Sequence, residues 1–210
     1  MKLKLFIPVV LLSTGTIFNQ AALAENYVNR NPVVANASNT AKIVNIRRLL
    51  EVSGVKSMIP NLLNQTIVKE RTANPDIPQE YWDAVSEEIR PDELLEAMVP
   101  IYDKYFSNAE IRQMIAFYST PVAKKITSKY PQILEKFTGE SRIEASDYKK
   151  YFTDEEIEYL NAFENSRVGK KLTEVSSQMQ KDLYEAGSKV GIEAAKRAVD
   201  KIINQNSSVY

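Results

Sequence analysis

The 210-residue chain contains no cysteine and no histidine. The first absence excludes disulfides, thiol nucleophiles and thiolate metal sites, and with them the acylated cysteine of a bacterial lipoprotein signal. The second excludes Ser-His-Asp and Cys-His arrangements, histidine-ligated zinc and ordinary histidine acid–base catalysis. Glycine is scarce, six residues in all, and none belongs to a loop built to cradle phosphate. Neither sign of charge is in excess: Lys plus Arg and Asp plus Glu number 27 each. A chain so balanced has no global field to draw nucleic acid or anionic lipid. An enzyme on this sequence would have to work with carboxylates, lysine or tyrosine alone, and no cofactor is expected.

One stretch reads as an address rather than as fold. "MKLKLFIPVVLLSTGTIFNQAALAEN" places Lys2 and Lys4 before an apolar run from Leu5 to Phe18, and Ala22-Leu23-Ala24 supplies small residues for a signal peptidase. Cleavage is expected after Ala24, leaving Glu25 first, so residues 1–24 are read as a removed signal. An uncleaved membrane anchor is the competing reading, but the apolar run is shorter than the roughly 20 residues that span a bilayer. Loss of Lys2 and Lys4 leaves 25 basic against 27 acidic residues. The mature protein is expected to be exported, periplasmic or secreted, and soluble, without a membrane span.

Residues 25–39, "ENYVNRNPVVANASN", lack periodicity and read as a flexible linker. Residues 40–205 read as a single helical domain and 206–210 as a disordered tail. Ile43, Ile46, Leu49 and Leu50 mark a first helix that ends near Ser53-Gly54, and Met58, Leu62, Leu63 and Ile67 mark a second. "TANPDIP" is a secure break. Pro78 opens a short helix carrying Trp82, the only tryptophan, whose expected role is packing. Pro91 opens another, with Asp92 and Glu93 at its positive dipole end; Pro100 inside it is expected to kink or divide it. From about Arg167 to Asn204 no proline intervenes, and Leu172, Val175, Met179, Leu183, Ala186, Val190, Ala194 and Ala198 recur at threes and fours. That spacing predicts a long final helix, with Gly187 and Gly191 as points where it could bend.

The chain repeats itself. Tyr102–Thr127 and Tyr148–Thr173 align without gaps and share 12 of 26 residues, where unrelated segments would share roughly one or two. Each copy predicts a helix-turn-helix unit. Ser107 with Glu110, and Thr153 with Glu156, have capping-box spacing behind the staple residues Phe106 and Phe152. Asp154, Glu155 and Glu156 as metal ligands or acid–base groups are the alternative, but only the capping Glu recurs in the first copy. Past the joint, Val122, Ile126, Ile133 and Phe137 are matched by Val168, Leu172, Met179 and Leu183. The first copy carries the wider apolar face: Asn161 and Glu164 stand where Ile115 and Tyr118 stand. It is therefore expected to be central and the second peripheral. The predicted fold class is all-α, a helical bundle with a duplicated helix-turn-helix unit and a long C-terminal helix.

The stretch Glu93 to Ile126 carries Val99-Pro100-Ile101-Tyr102-Asp103-Lys104 and Ile115-Ala116-Phe117-Tyr118-Ser119-Thr120-Pro121. These residues resemble a bacterial family catalogued as the domain of unknown function numbered two thousand and fifty-nine, with looser similarity from Ile43 to Lys136. The resemblance implies export and a helical fold, and no established activity. It also implies two departures: family members often carry histidine where Tyr105 stands and glycine where Ala123 stands, although the second copy has Gly169.

Two functions remain in view. The first is a non-catalytic interaction module of the bacterial cell envelope, with an unknown protein partner and no nucleic acid. The alternative is a carrier or sensor of an apolar molecule held between helices, suggested by Tyr102, Tyr105, Phe106, Phe117 and Tyr118 around the proline-bearing segment; a filled core competes with that groove. Asp103 with Lys104 and Tyr102 is the only compact polar group in the family-like motif, and helix-surface pairing accounts for it without catalysis.

Overall fold

The fold is all-α. A computed structural model describes residues 37–136 and 149–207, so the expected signal peptide with its Ala24–Glu25 cleavage point, most of the expected linker, Phe137 and Tyr148 lie outside the described residues. Eight helices are described: α1 (Ala37–Val52), α2 (Val55–Ala73), α3 (Gln79–Glu88), α4 (Pro91–Tyr105), α5 (Asn108–Tyr118), α6 (Pro121–Lys136), α7 (Asp154–Asn165) and α8 (Arg167–Ser207). Helix α1 begins three residues before the expected start at Thr40, and α8 runs two residues past the expected end at Gln205.

Proline and glycine punctuate these helices unequally. Pro91 sits at the first turn of α4, where its missing N–H has no partner to lose. Of the two expected effects of Pro100, a kink or a division, the second does not occur: α4 passes through it. Pro100 and Glu96, whose carbonyl loses its donor, both face solvent, so that carbonyl stays accessible to water. Pro60 in α2 is accommodated on an exposed face as well. Gly54 breaks α1 from α2 with φ of 80°, a left-handed conformation that suits glycine. A Cβ there would stand 2.1 Å from Thr127 Cγ2, so the turn is packed directly against α6.

The main core joins α1, α2, α4, α5, α6, α7 and the first half of α8. Ile46, Leu49 and Leu50 of α1 share one buried cluster with Met98 and Tyr102 of α4, Ile111 and Met114 of α5, Leu160 of α7 and Leu172 of α8. Each such side chain contributes roughly 1.5–3 kcal/mol relative to an exposed position. Helix α1 lies against α4 and α5, while α8 lies along α3 and α4 and also touches α5 and α7. Its 41 residues run unbroken through Gly187 and Gly191, roughly 60 Å at 1.5 Å per residue.

The far half of α8 is held differently. Ala198 packs on Ala84 and Val85 of α3, where small side chains allow close approach. Trp82 is buried beside them in α3 and meets Tyr81 edge-on at 5.2 Å, in keeping with a packing role. Arg197 of α8 donates to the Glu88 carbonyl at 2.9 Å and to Glu93 Oε2 at 2.8 Å, fastening that half to the junction of α3 and α4.

Candidate functional site

The two copies of the repeat fold alike at each local step. Ser107 Oγ accepts from the Glu110 N–H, and Ser107 N–H donates to Glu110 Oε2 at 2.8 Å; Thr153 and Glu156 make the same pair, the return bond at 2.9 Å. Both predicted capping boxes are present. At the joints, Thr120 Oγ1 donates to the Phe117 carbonyl and accepts from the Ala123 N–H, and Ser166 Oγ does the same with Phe163 and Gly169. One copy is thus α5–α6 and the other α7 with the start of α8.

The copies also bind each other, and they do so reciprocally. Lys171 Nζ of the second unit donates to Glu110 Oε2 of the first at 2.7 Å. Lys125 Nζ of the first donates to Glu156 Oε2 of the second at 2.7 Å. Glu110 and Glu156 are equivalent positions, as are Lys125 and Lys171. The same lysines lie over equivalent rings, Lys171 over Phe106 at 5.6 Å and Lys125 over Phe152 at 5.3 Å. Between them Phe117 stacks on its own equivalent, Phe163, with ring centroids 3.6 Å apart and planes within 7°. Residue i meeting j while j meets i, with one residue meeting its own copy, is the pattern of a two-fold isologous interface.

Electrostatics sharpen one side of this pattern. Burial would push the Glu110 carboxyl up, but bonds from Lys171 and from the Ser107 amide and hydroxyl outweigh it and hold it down at about 2. The Glu156 carboxyl is held below its ordinary value by Lys125 first and by the Thr153 amide second. Both acids of the interface are therefore carboxylates at neutral pH, each facing an ammonium.

The five aromatic residues of the expected groove do not share one surface. Tyr102, Phe106, Phe117 and Tyr118 are buried in the main core. Phe117 carries Tyr118 edge-on at 5.0 Å on one side and the Phe163 and Tyr159 rings on the other. Burial raises the Tyr102 and Tyr118 hydroxyls well above the ordinary tyrosine value. Tyr105 alone is partly exposed, its hydroxyl bonded to Asp182 Oδ2 of α8 at 2.8 Å.

The compact polar group Tyr102, Asp103 and Lys104 is pulled three ways, as consecutive helical positions must be. Tyr102 enters the core. Asp103 Oδ1 lies 2.6 Å from Lys42 Nζ of α1. Lys104 Nζ reaches Asp182 Oδ2 at 2.6 Å, so Asp182 holds Lys104 and Tyr105 together while Gln178 donates to its other oxygen. Among the described residues no three Asp or Glu side chains gather as a metal site would require, and no helix is long and apolar enough to cross a membrane.

Sequence reasoning accounts for Glu110 and Glu156 by capping alone and does not find Lys125, Lys171, Lys42 or Asp182. For the first two a signal is present: a lysine retained at the same place in both copies, opposite in sign to a retained glutamate. Asp182 and Lys42 have no equivalent in the repeat and leave no such signal.

No curated protein and no solved structure matches the chain. Residues 92–143, which hold α4, α5 and α6 and thus the first unit but not the second, match the bacterial family described as "Uncharacterized protein conserved in bacteria (DUF2059)", the family that the motif resembles.

Proposed function

We propose that this protein is a non-catalytic interaction module of the bacterial cell envelope, exported by its N-terminal signal and acting through its helical surfaces. One observation carries the reading: the repeated phrase, the most site-like feature of the sequence, is consumed by caps, core and the contact between its own two copies. Four of the five groove aromatics are buried, which leaves the outer helix faces as the surface offered to others. Neither the carboxylates of the interface nor the Asp103–Lys104 pair is free to act on a substrate, since each is engaged by a helix partner.

The test is chemical crosslinking in intact cells of the native host, with the captured species identified, beside fractionation of the envelope. A protein partner captured in the exported fraction supports the reading. Recovery of the chain with Met1 intact inside the cytoplasm would overturn the export half. A lipid or metabolite retained by the purified chain in native mass spectrometry would favour the carrier reading instead.

A further inference from the structure

Charge is balanced over the whole chain but not around helix α3. Between Arg71 and Arg90 the sequence carries Asp76, Glu80, Asp83, Glu87 and Glu88, and no lysine or arginine. Helical spacing puts Glu80, Asp83 and Glu87 on one face of α3, and all three are exposed. Two of the five acids are answered from α8, Glu87 by Lys201 and Glu88 by Arg197. Asp76, Glu80 and Asp83 have no ion pair among the described residues; Asp83 accepts the Gln79 side-chain amide at 2.7 Å. Arg71, at the edge of this stretch, donates to Gln79 Oε1 rather than to an acid.

An acidic rim by itself is ordinary surface. Glu70 sets this one apart. It lies in the last turn of α2, where the chain turns towards α3, and is only 4% exposed. Yet its carboxyl group has no hydrogen-bond or ion-pair partner among the described residues. Its backbone carbonyl accepts from the side-chain amide of Asn74, the first residue of the connection to α3, at 2.8 Å. A carboxyl group withdrawn from water without a partner is costly, and a cation brought from outside would offset that cost. Apolar surface is exposed in the same stretch: Ile77 of the connection is 37% exposed and Val68 of α2 44% exposed.

We propose that the α2–α3 hairpin docks a basic, partly apolar segment of a partner protein. Lysine or arginine of that segment meets Glu70, Asp76, Glu80 and Asp83, and an apolar side chain covers Ile77. The inference rests on the interaction-module reading above and names the chemistry of the partner. Complementarity of charge selects this occupant, since the same negative surface repels nucleic acid and anionic lipid. The exposed acids speed encounter, and the buried pair that Glu70 forms slows release.

The probe is a labelled lysine–leucine peptide, with a glutamate–leucine peptide of the same length beside it. Fluorescence anisotropy with the full chain should show saturable binding of the first and none of the second. The patch variant Asp76→Asn/Glu80→Gln/Asp83→Asn should bind the basic peptide roughly tenfold more weakly, each exposed pair contributing a few-fold. A control of the same net charge, Glu158→Gln/Glu174→Gln/Glu185→Gln, removes exposed acids of α7 and α8 and should bind as the wild type does. Glu70→Gln should weaken binding several-fold through faster release with an unchanged association rate, a split that a purely structural role would not give. Urea melts establish that each variant is folded at the assay temperature. Unchanged affinity in either the patch variant or Glu70→Gln would overturn the proposal, and so would an equal loss in the control, which would reduce the effect to net charge. In intact cells, a crosslinked partner that the patch variant retains would overturn this inference and leave the interaction-module reading standing. A wild-type chain that crosslinks to no protein would sink that reading, while the peptide titrations still decide this one.

Discussion

Helix α5 of the first unit buries Ile111, Met114, Phe117 and Tyr118, and α1 lies across it; helix α7 of the second buries Leu160 alone. The caps, the joints and the ring of the central Phe are nearly the same in both. The difference begins at two positions, where Ile115 and Tyr118 of the first unit become Asn161 and Glu164 of the second. Removing two apolar side chains narrows the stripe from one that can be covered on two sides to one that can be covered on one. Local structure follows the motif, then, while depth in the fold follows the residues the motif leaves open.

The largest test of that contrast is the pair Phe117→Ala and Phe163→Ala. Phe117 is buried and Phe163 half-buried, so the first should cost about 3–5 kcal/mol and the second clearly less. Equal losses in urea melts would mean that the two units are equally central.

Acid should divide the units next. The folded Glu110 carboxyl titrates at about 2 against an ordinary 4.5. A depressed folded value means that stability is fully present above the ordinary value and drains away as pH falls from about 4.5 towards 2. The shift corresponds to an upper figure on the order of 3 kcal/mol. Glu110→Gln should lose most of that at neutral pH and flatten the acid limb, whereas Glu156→Gln, at a more exposed site, should change it little. An unchanged acid limb in Glu110→Gln would deny the buried pair its role.

Gly169 and Ala123 occupy equivalent places with unlike tolerances. A Cβ on Gly169 would stand 2.2 Å from the Phe163 carbonyl oxygen, so Gly169→Ala should cost about 1–3 kcal/mol through overpacking. Ala123→Gly should cost about 1 kcal/mol or less from helix propensity. Thermal melts that rank these two in the opposite order would show that the second joint is the looser one.

The smallest expected effects are shared rather than split. Ser107→Ala and Thr153→Ala each remove one capping oxygen and should each cost about 1 kcal/mol. A large disparity between them would locate the asymmetry in the caps rather than in the width of the apolar stripes.

Much of this is legible in the sequence because it is local. Caps, joints and stripes depend on residues three or four apart, so Ser107 with Glu110 or Thr120 with Pro121 can be read directly. The long α8 is legible because no proline interrupts it, and the depth order of the units because it follows from stripe width. Pro100 is the exception: its effect depends on whether the freed carbonyl meets solvent, which only the burial of the helix decides. The contact between the units is not legible from periodicity, since an ion pair across 61 residues, Glu110 with Lys171, leaves no periodic trace; its one sign is the lysine and glutamate retained in both copies. The aromatic group misleads for a related reason. Nearness in sequence suggests a shared surface, while helical rotation sends Tyr105 outward and Tyr102 into the core.

The central claim is that the repeat is a scaffold whose copies hold each other, and the stacked pair Phe117–Phe163 is where it can be measured most directly. A double-mutant cycle on Phe117→Ala and Phe163→Ala, with stabilities from urea melts, isolates the coupling between them. Direct stacking predicts a coupling of about 0.5–1.5 kcal/mol, so that the double variant loses less than the sum of the single losses. Additivity within about 0.3 kcal/mol would contradict it, for the two rings would then not be in contact in solution.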